Sequence, residues 1–130
     1  MNYLLDADWA ISFLNGRPNA VTRIENLADE GIALSVITWG EIYEGLLTRP
    51  DLDRHLAQLD QFTAAIDLIL PDLDVARHYA RLRSYLRSQG QLIPDNDFWL
   101  AATALAYNLT VVSRDQHFSR IPDLKIHQVS

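Results

Sequence analysis

Short apolar runs alternate with longer amphipathic stretches along this chain, and that alternation restricts its possible folds more than any other property of the sequence. Asn2–Leu5, Ala33–Ile37, Ile66–Leu70 and Thr110–Val112 read as short strands, with Lys125–Val129 as a further one. Pairs of helices fill the gaps between the first four. Asp8 opens a helix that Asn15-Gly16-Arg17-Pro18 closes, and Asn19–Glu30 carries Val21, Ile24, Leu27 and Ala28 on one face before Gly31. Thr38 starts a third helix that ends at Arg49-Pro50, and Asp51–Ala64 places Leu52, Leu56, Leu59 and Phe62 at helical spacing. Pro71-Asp72 opens a long helix to Gln89, capped by Gly90, and Pro94-Asp95 opens another through Tyr107, with Asn108 leaving in a left-handed turn. Strands separated by helices in this order predict an α/β fold with a mainly parallel sheet covered on both faces and joined by right-handed crossovers.

Composition narrows the chemistry. The 130 residues are expected to form one domain. There is no cysteine, which excludes disulfides, thiolate metal sites and cysteine nucleophiles. His55, His78, His117 and His127 include no pair at the i, i+4 spacing of a two-histidine zinc site. An oxygen-ligated Mg²⁺ or Mn²⁺ site stays open. No apolar run approaches the ~18–20 residues of a membrane span, and the N-terminus lacks a basic and apolar leader, so a cytoplasmic protein is expected. The net charge of −6 argues against holding nucleic acid by bulk electrostatics and suits a cation site or a basic partner.

The acids become informative once the sheet is assumed. Sites in open α/β sheets form outside the carboxyl ends of the strands. Asp6 follows the first strand, Glu41 lies at the start of the helix after the second, Asp97 lies in the first turn of the helix leading into Thr110–Val112, and Asp115 follows that strand. Topology alone therefore brings four acids to one rim. Gathered carboxylates repel and raise one another's pKa, and a divalent cation relieves this while activating water for phosphodiester displacement.

Each acid also has a purely structural role open to it. Thr38-x-x-Glu41 is a capping-box pattern, Asp97 suits the positive end of its helix, Asp95 suits the N-cap, and Asp115 suits a turn in Ser113-Arg114-Asp115-Gln116. Asp6 is harder to explain this way, because a carboxylate closing a buried strand loses hydration.

Four segments together resemble the PIN-domain nucleases, specifically the small VapC-type toxins of bacterial and archaeal toxin–antitoxin pairs. They are Tyr3-Leu4-Leu5-Asp6-Ala7-Asp8, Ser35–Gly45 around Thr38 and Glu41, Ile93–Ala104 around Asp95 and Asp97, and Val111–Phe118 around Ser113 and Asp115. The resemblance covers essentially the whole chain, in the family's order. It implies a PIN-like three-layer α/β/α sandwich with a sheet of four to five strands. It assigns Asp6, Glu41, Asp97 and Asp115 as the catalytic and metal-binding acids, with Ser113 at the family's small hydroxyl position. It further implies Mg²⁺ or Mn²⁺, a water nucleophile, cleavage of RNA, a homodimer, and a VapB-type antitoxin that sets an arginine against the acids. Asp8 departs from the family's usual asparagine or serine; it is read mainly as a helix cap and secondarily as an outer ligand. Asp95 is read as mainly structural.

Two other readings compete. Asp6-Ala7-Asp8 mimics the Asp-x-Asp of haloacid-dehalogenase phosphatases, but Trp9 follows it and the single lysine, Lys125, lies near the chain end. A PIN fold serving only as a protein-binding module is the other; the presence of all four acids weighs against it. Arg77, Arg81, Arg83 and Arg87 form a stripe that suits RNA, a partner's acids or simply water. Trp9, Trp39 and Trp99 suit packing better than base stacking.

Overall fold

The computed structural model describes residues 2–128, so the expected strand residue Val129 lies outside them. Five strands form one sheet in the order β3-β2-β1-β4-β5, every neighbouring pair parallel. They are β1 (Tyr3–Leu5), β2 (Ile32–Ser35), β3 (Asp67–Ile69), β4 (Thr110–Ser113) and β5 (Ile126–Gln128). The helices are α1 (Ala7–Leu14), α2 (Pro18–Ala28), α3 (Val36–Leu46), α4 (Leu52–Ala65), α5 (Leu73–Ser88) and α6 (Asp95–Tyr107), and a 3₁₀ turn covers Gln116–Arg120.

The period of two along the strands divides the core. Leu4, Ala33 and Val111 face a layer built from α5 and α6, where Val75, Leu86 and Phe98 are fully buried. Their neighbours Leu5, Leu34 and Val112 face the opposite layer, with Trp9, Ile24, Ile42 and Leu59 from α1 to α4. This is the expected three-layer α/β/α sandwich. Truncating a side chain such as Leu4 or Leu5 to alanine would cost about 2–5 kcal/mol.

The helix starts correct the sequence reading at three places. Asp6, not Asp8, is the N-cap of α1: its backbone is extended, its carbonyl accepts from Ala10, and its Oδ1 accepts from Ala7 N–H at 2.7 Å. Asp8 sits exposed in the first turn. β2 stops at Ser35 rather than Ile37, because the Ser35 hydroxyl accepts from Ile37 N–H at 3.1 Å and starts α3 two residues before Thr38. Thr38 is therefore a buried residue within the helix, and the Thr38–Glu41 capping box does not form. Pro94 is the N-cap of α6, which makes Asp95 its first residue; Asp95 Oδ1 instead accepts from Arg83 Nε at 3.1 Å. The exits follow expectation, with Asn108 left-handed at φ 55°.

Candidate active site

The chain runs from the central strand β1 outward to β2 and β3, then returns to β4 on the other side of β1. β1 and β4 thus diverge at a switch point, where an open α/β sheet leaves a crevice at its carboxyl edge. The crevice is a cleft of about 450 Å³, and Asp6, Asp8, Glu41, Asp95, Asp97 and Asp115 all line it. The topology therefore gathers all six acids that the sequence singled out.

Asp6 is fixed most firmly. Oδ1 accepts from Ala7 N–H at 2.7 Å, and Oδ2 accepts from the Ser113 hydroxyl at 2.7 Å. Ser113 is 1% exposed, and its Oγ also accepts from Asp115 N–H at 2.9 Å. One hydroxyl at the end of β4 thereby orients both Asp6 and the turn carrying Asp115. Burial pushes the Asp6 carboxyl above its ordinary pKa; the Ser113 and Ala7 hydrogen bonds oppose this, and the charges of Asp8 and Asp115 add to it.

Asp97 is pushed up to about 6, first by burial, then by the charge of Asp6, with a smaller push from Asp115 and partial relief from His117. Glu41 reaches in from the second turn of α3. Burial raises its pKa most; Asn96 pulls it back, and Asp6, Asp97 and Asp8 raise it further. Each of these three carboxyls is therefore harder to ionise than a solvated acid, as expected where negative charges are gathered away from water.

His117 was missed from sequence, where only histidine pairs at helical spacing were weighed. Its signal was Asp115-Gln116-His117 ahead of the buried Phe118, on a turn that folds the imidazole back over the site. Nε2 lies 2.8 Å from Asp97 Oδ2 and 2.9 Å from Asp115 Oδ2. One N–H cannot point along both directions, and among the described residues neither contact has the direction of a hydrogen bond, so this buried nitrogen sits between two carboxylates without a hydrogen-bond partner. One ligand atom each from Asp97, Asp115 and His117 lies within 4.8 Å of the others, and the cluster can hold a metal ion. The donor set, rich in carboxylate oxygen, fits a hard divalent cation.

The remaining predicted groups lie around this centre. Thr38 is buried in α3 and does not line the cleft. Trp39 stacks on Tyr43 and its Nε1 donates to Thr63 Oγ1 at 2.9 Å, while Trp99 stacks on Tyr79 at 4.1 Å between ring centroids. Trp9 is buried beneath the Arg114 guanidinium, 4.1 Å from the ring centroid. All three tryptophans pack, as their sequence context suggested. No helix among the described residues is long and apolar enough to cross a membrane.

Known proteins align with this geometry along the whole chain. Residues 3–124 match the PIN domain. Ribonuclease VapC2 of Rickettsia felis is 30% identical over 127 residues, covering 95% of each chain. Ribonuclease VapC1 of Haemophilus influenzae strain R2866 is 27% identical, covering 96% of each. Among solved structures, VapBC2 from Rickettsia felis, bound to a DNA fragment from its promoter, superposes with a TM-score of 0.91 at 28% identity and covers 100% of both chains. VapBC-1 from nontypeable Haemophilus influenzae superposes at 0.86 with 26% identity over 98% of each. A parallel five-stranded sheet, an acid-lined cleft at its switch point and this full-length similarity together place the chain in the PIN-domain family, among its VapC members.

Proposed function

We propose that this protein is a VapC-type toxin, a metal-dependent endoribonuclease that hydrolyses RNA phosphodiester bonds and is restrained by a VapB-type antitoxin. The observation that carries the reading is the cleft in which Asp6, Glu41, Asp97 and Asp115 meet. Similarity to proteins named ribonucleases supports the substrate class. The resemblance to VapBC-5 from Mycobacterium tuberculosis, a member of the VapBC family of toxin–antitoxin systems with a TM-score of 0.75 at 28% identity, supports the partner. Function as a homodimer in the cytoplasm follows the same reading.

The four acids would hold Mg²⁺ or Mn²⁺, with His117 as an added nitrogen donor beside Asp97 and Asp115. When bound, such an ion supplies a more acidic water and neutralises charge on the phosphoryl oxygens. The chain's own contribution is orientation. Ser113 and Ala7 N–H hold both oxygens of Asp6, which leaves the carboxylate little freedom to turn away from the cleft. Asp97 and Glu41 ionise reluctantly without a cation, so they are poised to gain more from one than solvated acids would. Asp95, paired with Arg83, helps shape the rim, and Asp8, which also lines the cleft, would serve as an outer-sphere group. The antitoxin would close the same cleft with a cationic side chain directed at these acids.

The test is induced expression followed by mapping of RNA cleavage sites, with Asp6→Asn as control. Cleavage at defined sites by the wild type, its loss in the folded variant, and its loss with EDTA and return with Mn²⁺ are expected. Cleavage that continues in folded Asp6→Asn, or without divalent ions, would overturn the reading.

A further inference from the structure

The acid cleft does not end at the acids. Asp8 lines it and also lines a neighbouring cleft of about 700 Å³ that runs along α1 and contains Arg114, Asn15 and Arg17. Asn15 and Arg17 in turn line a third cleft, of about 480 Å³, with Arg49 and Arg54. Neighbouring clefts therefore share wall residues and line up as a segmented channel from the acids, along α1, to the α1–α2 turn and the start of α4.

The charge along this channel is opposite to that of the molecule. The protein carries a net −6. Beyond the acid cleft, the channel walls carry Arg17, Arg49, Arg54 and Arg114, and among the described residues Asp8 is the one acid lining them. Two of these arginines are held in place. The Arg114 guanidinium lies over the Trp9 ring at 4.1 Å, and Arg49 donates to Asn15 Oδ1 at 3.0 Å. A stacked guanidinium keeps its in-plane donors available. Arg54 is mostly solvated, 4.0 Å from Asp51.

We propose that this channel is the path of the RNA strand on one side of the scissile bond, with Arg114, Arg17 and Arg49 contacting successive backbone phosphates. The proposal rests on the ribonuclease reading of the acid cleft and deepens it by naming the strand's path. Asn15, the C-cap of α1, lies seven residue steps beyond Asp8, about 10 Å along the helix at roughly 1.5 Å per residue. That span carries the strand past the scissile phosphate to its neighbours, where Arg17 and Arg49 meet it. Arg114, Asn15, Arg17 and Arg49 offer donors that suit a phosphodiester backbone, set beside an apolar part of the wall formed by Ile11, Pro18 and Ala20. The channel also resolves the tension in the net charge: the acids repel RNA except where a cation sits, and the arginines beside them supply local attraction.

The test measures binding apart from cleavage. A short fluorescein-labelled single-stranded RNA of mixed sequence is titrated with the Asp6→Asn protein, with and without Arg17→Ala and Arg49→Ala, over a range of salt concentrations in Mn²⁺. The double replacement is expected to weaken binding about tenfold at low salt and to flatten the dependence of log K on log salt by about 0.7 for each lost phosphate contact. Arg81→Ala on α5 should leave both unchanged. Circular dichroism confirms folding of each exposed-site variant. If the wild type cleaves RNA while the double variant binds with unaltered affinity and slope, the path is wrong and the ribonuclease reading stands. Loss of binding only in Arg81→Ala would place the strand on α5 and also overturn the path. Unchanged RNA binding with loss of capture by the co-expressed antitoxin would make the channel a protein-binding surface. Absence of both cleavage and RNA binding in the wild type would remove the reading and the path together.

Discussion

The Ser113 hydroxyl donates to Asp6 Oδ2 at 2.7 Å while accepting from Asp115 N–H at 2.9 Å, so one small side chain joins the ends of β1 and β4 across the switch point. Ser113→Ala is expected to leave the sheet intact and cost about 1 kcal/mol of stability. It should lower metal affinity and cleavage about 10–100-fold, because Asp6 loses the contact that orients it. Ser113→Thr keeps the hydroxyl and should restore most of both. Calorimetric Mn²⁺ titration of the three proteins decides this; equal affinities would show that the contact does not organise the site.

Metal binding should weaken in acid. Asp97 has its pKa raised from 3.8 to about 6 in the folded, metal-free protein. The sign follows from linkage: the folded state holds this proton more tightly than the unfolded chain does. The resulting stabilisation is complete below pH 3.8 and is lost as the pH rises through about 6. Above that range the ionised cluster opposes folding until a cation compensates. The rise in Tm on adding Mn²⁺ should therefore be clearly larger at about pH 7.5 than at about pH 5. A gain independent of pH would refute the link.

Asp97→Asn separates stability from function. Removing this charge relieves repulsion with Asp6 and Asp115, so the metal-free variant should melt about 3–6 °C above the wild type at neutral pH. It should also lose cleavage and most of its response to Mn²⁺. A lower melting temperature in the absence of metal would mean that the carboxylate is stabilising rather than strained.

His117 provides a spectroscopic test. Its Nε2 sits against Asp97 and Asp115 without a directed hydrogen bond, in position to act as a ligand. Electron spin echo measurements of bound Mn²⁺ should show nitrogen coupling that His117→Gln abolishes, with a several-fold loss of affinity. Retention of the coupling in the variant would assign the nitrogen elsewhere.

Local patterns carried far into this molecule. Apolar runs of strand length between helical stretches require a parallel sheet covered on both faces, since each run must bury both of its sides. That was enough to place Asp6, Glu41, Asp97 and Asp115 on one rim. The errors fell at the helix starts. Asp6 and Asp8 are both good caps by composition, and so are Ser35 and Thr38. What chose between them was where strand pairing ends: β1 pairs through Leu5 with Val112, and β2 through Ser35 with Ile69, and the chain turns into helix immediately afterwards.

The sequence by itself determined the layer order, the strand faces and which acids share an edge, because these depend on periodicity and chain connectivity. Only the tertiary structure decided what surrounds each acid. Asp97 was visible as an acid at a helix start, but its pKa near 6 depends on burial and on charges distant along the chain. The imidazole of His117 reaches Asp97 because a 3₁₀ turn returns it to the cleft, and Arg17 and Arg49 share a wall because α1 and α4 meet there. Electrostatic interactions fall off with distance in space, whatever the separation in sequence, so the site's chemistry was set only when the sheet brought these groups together.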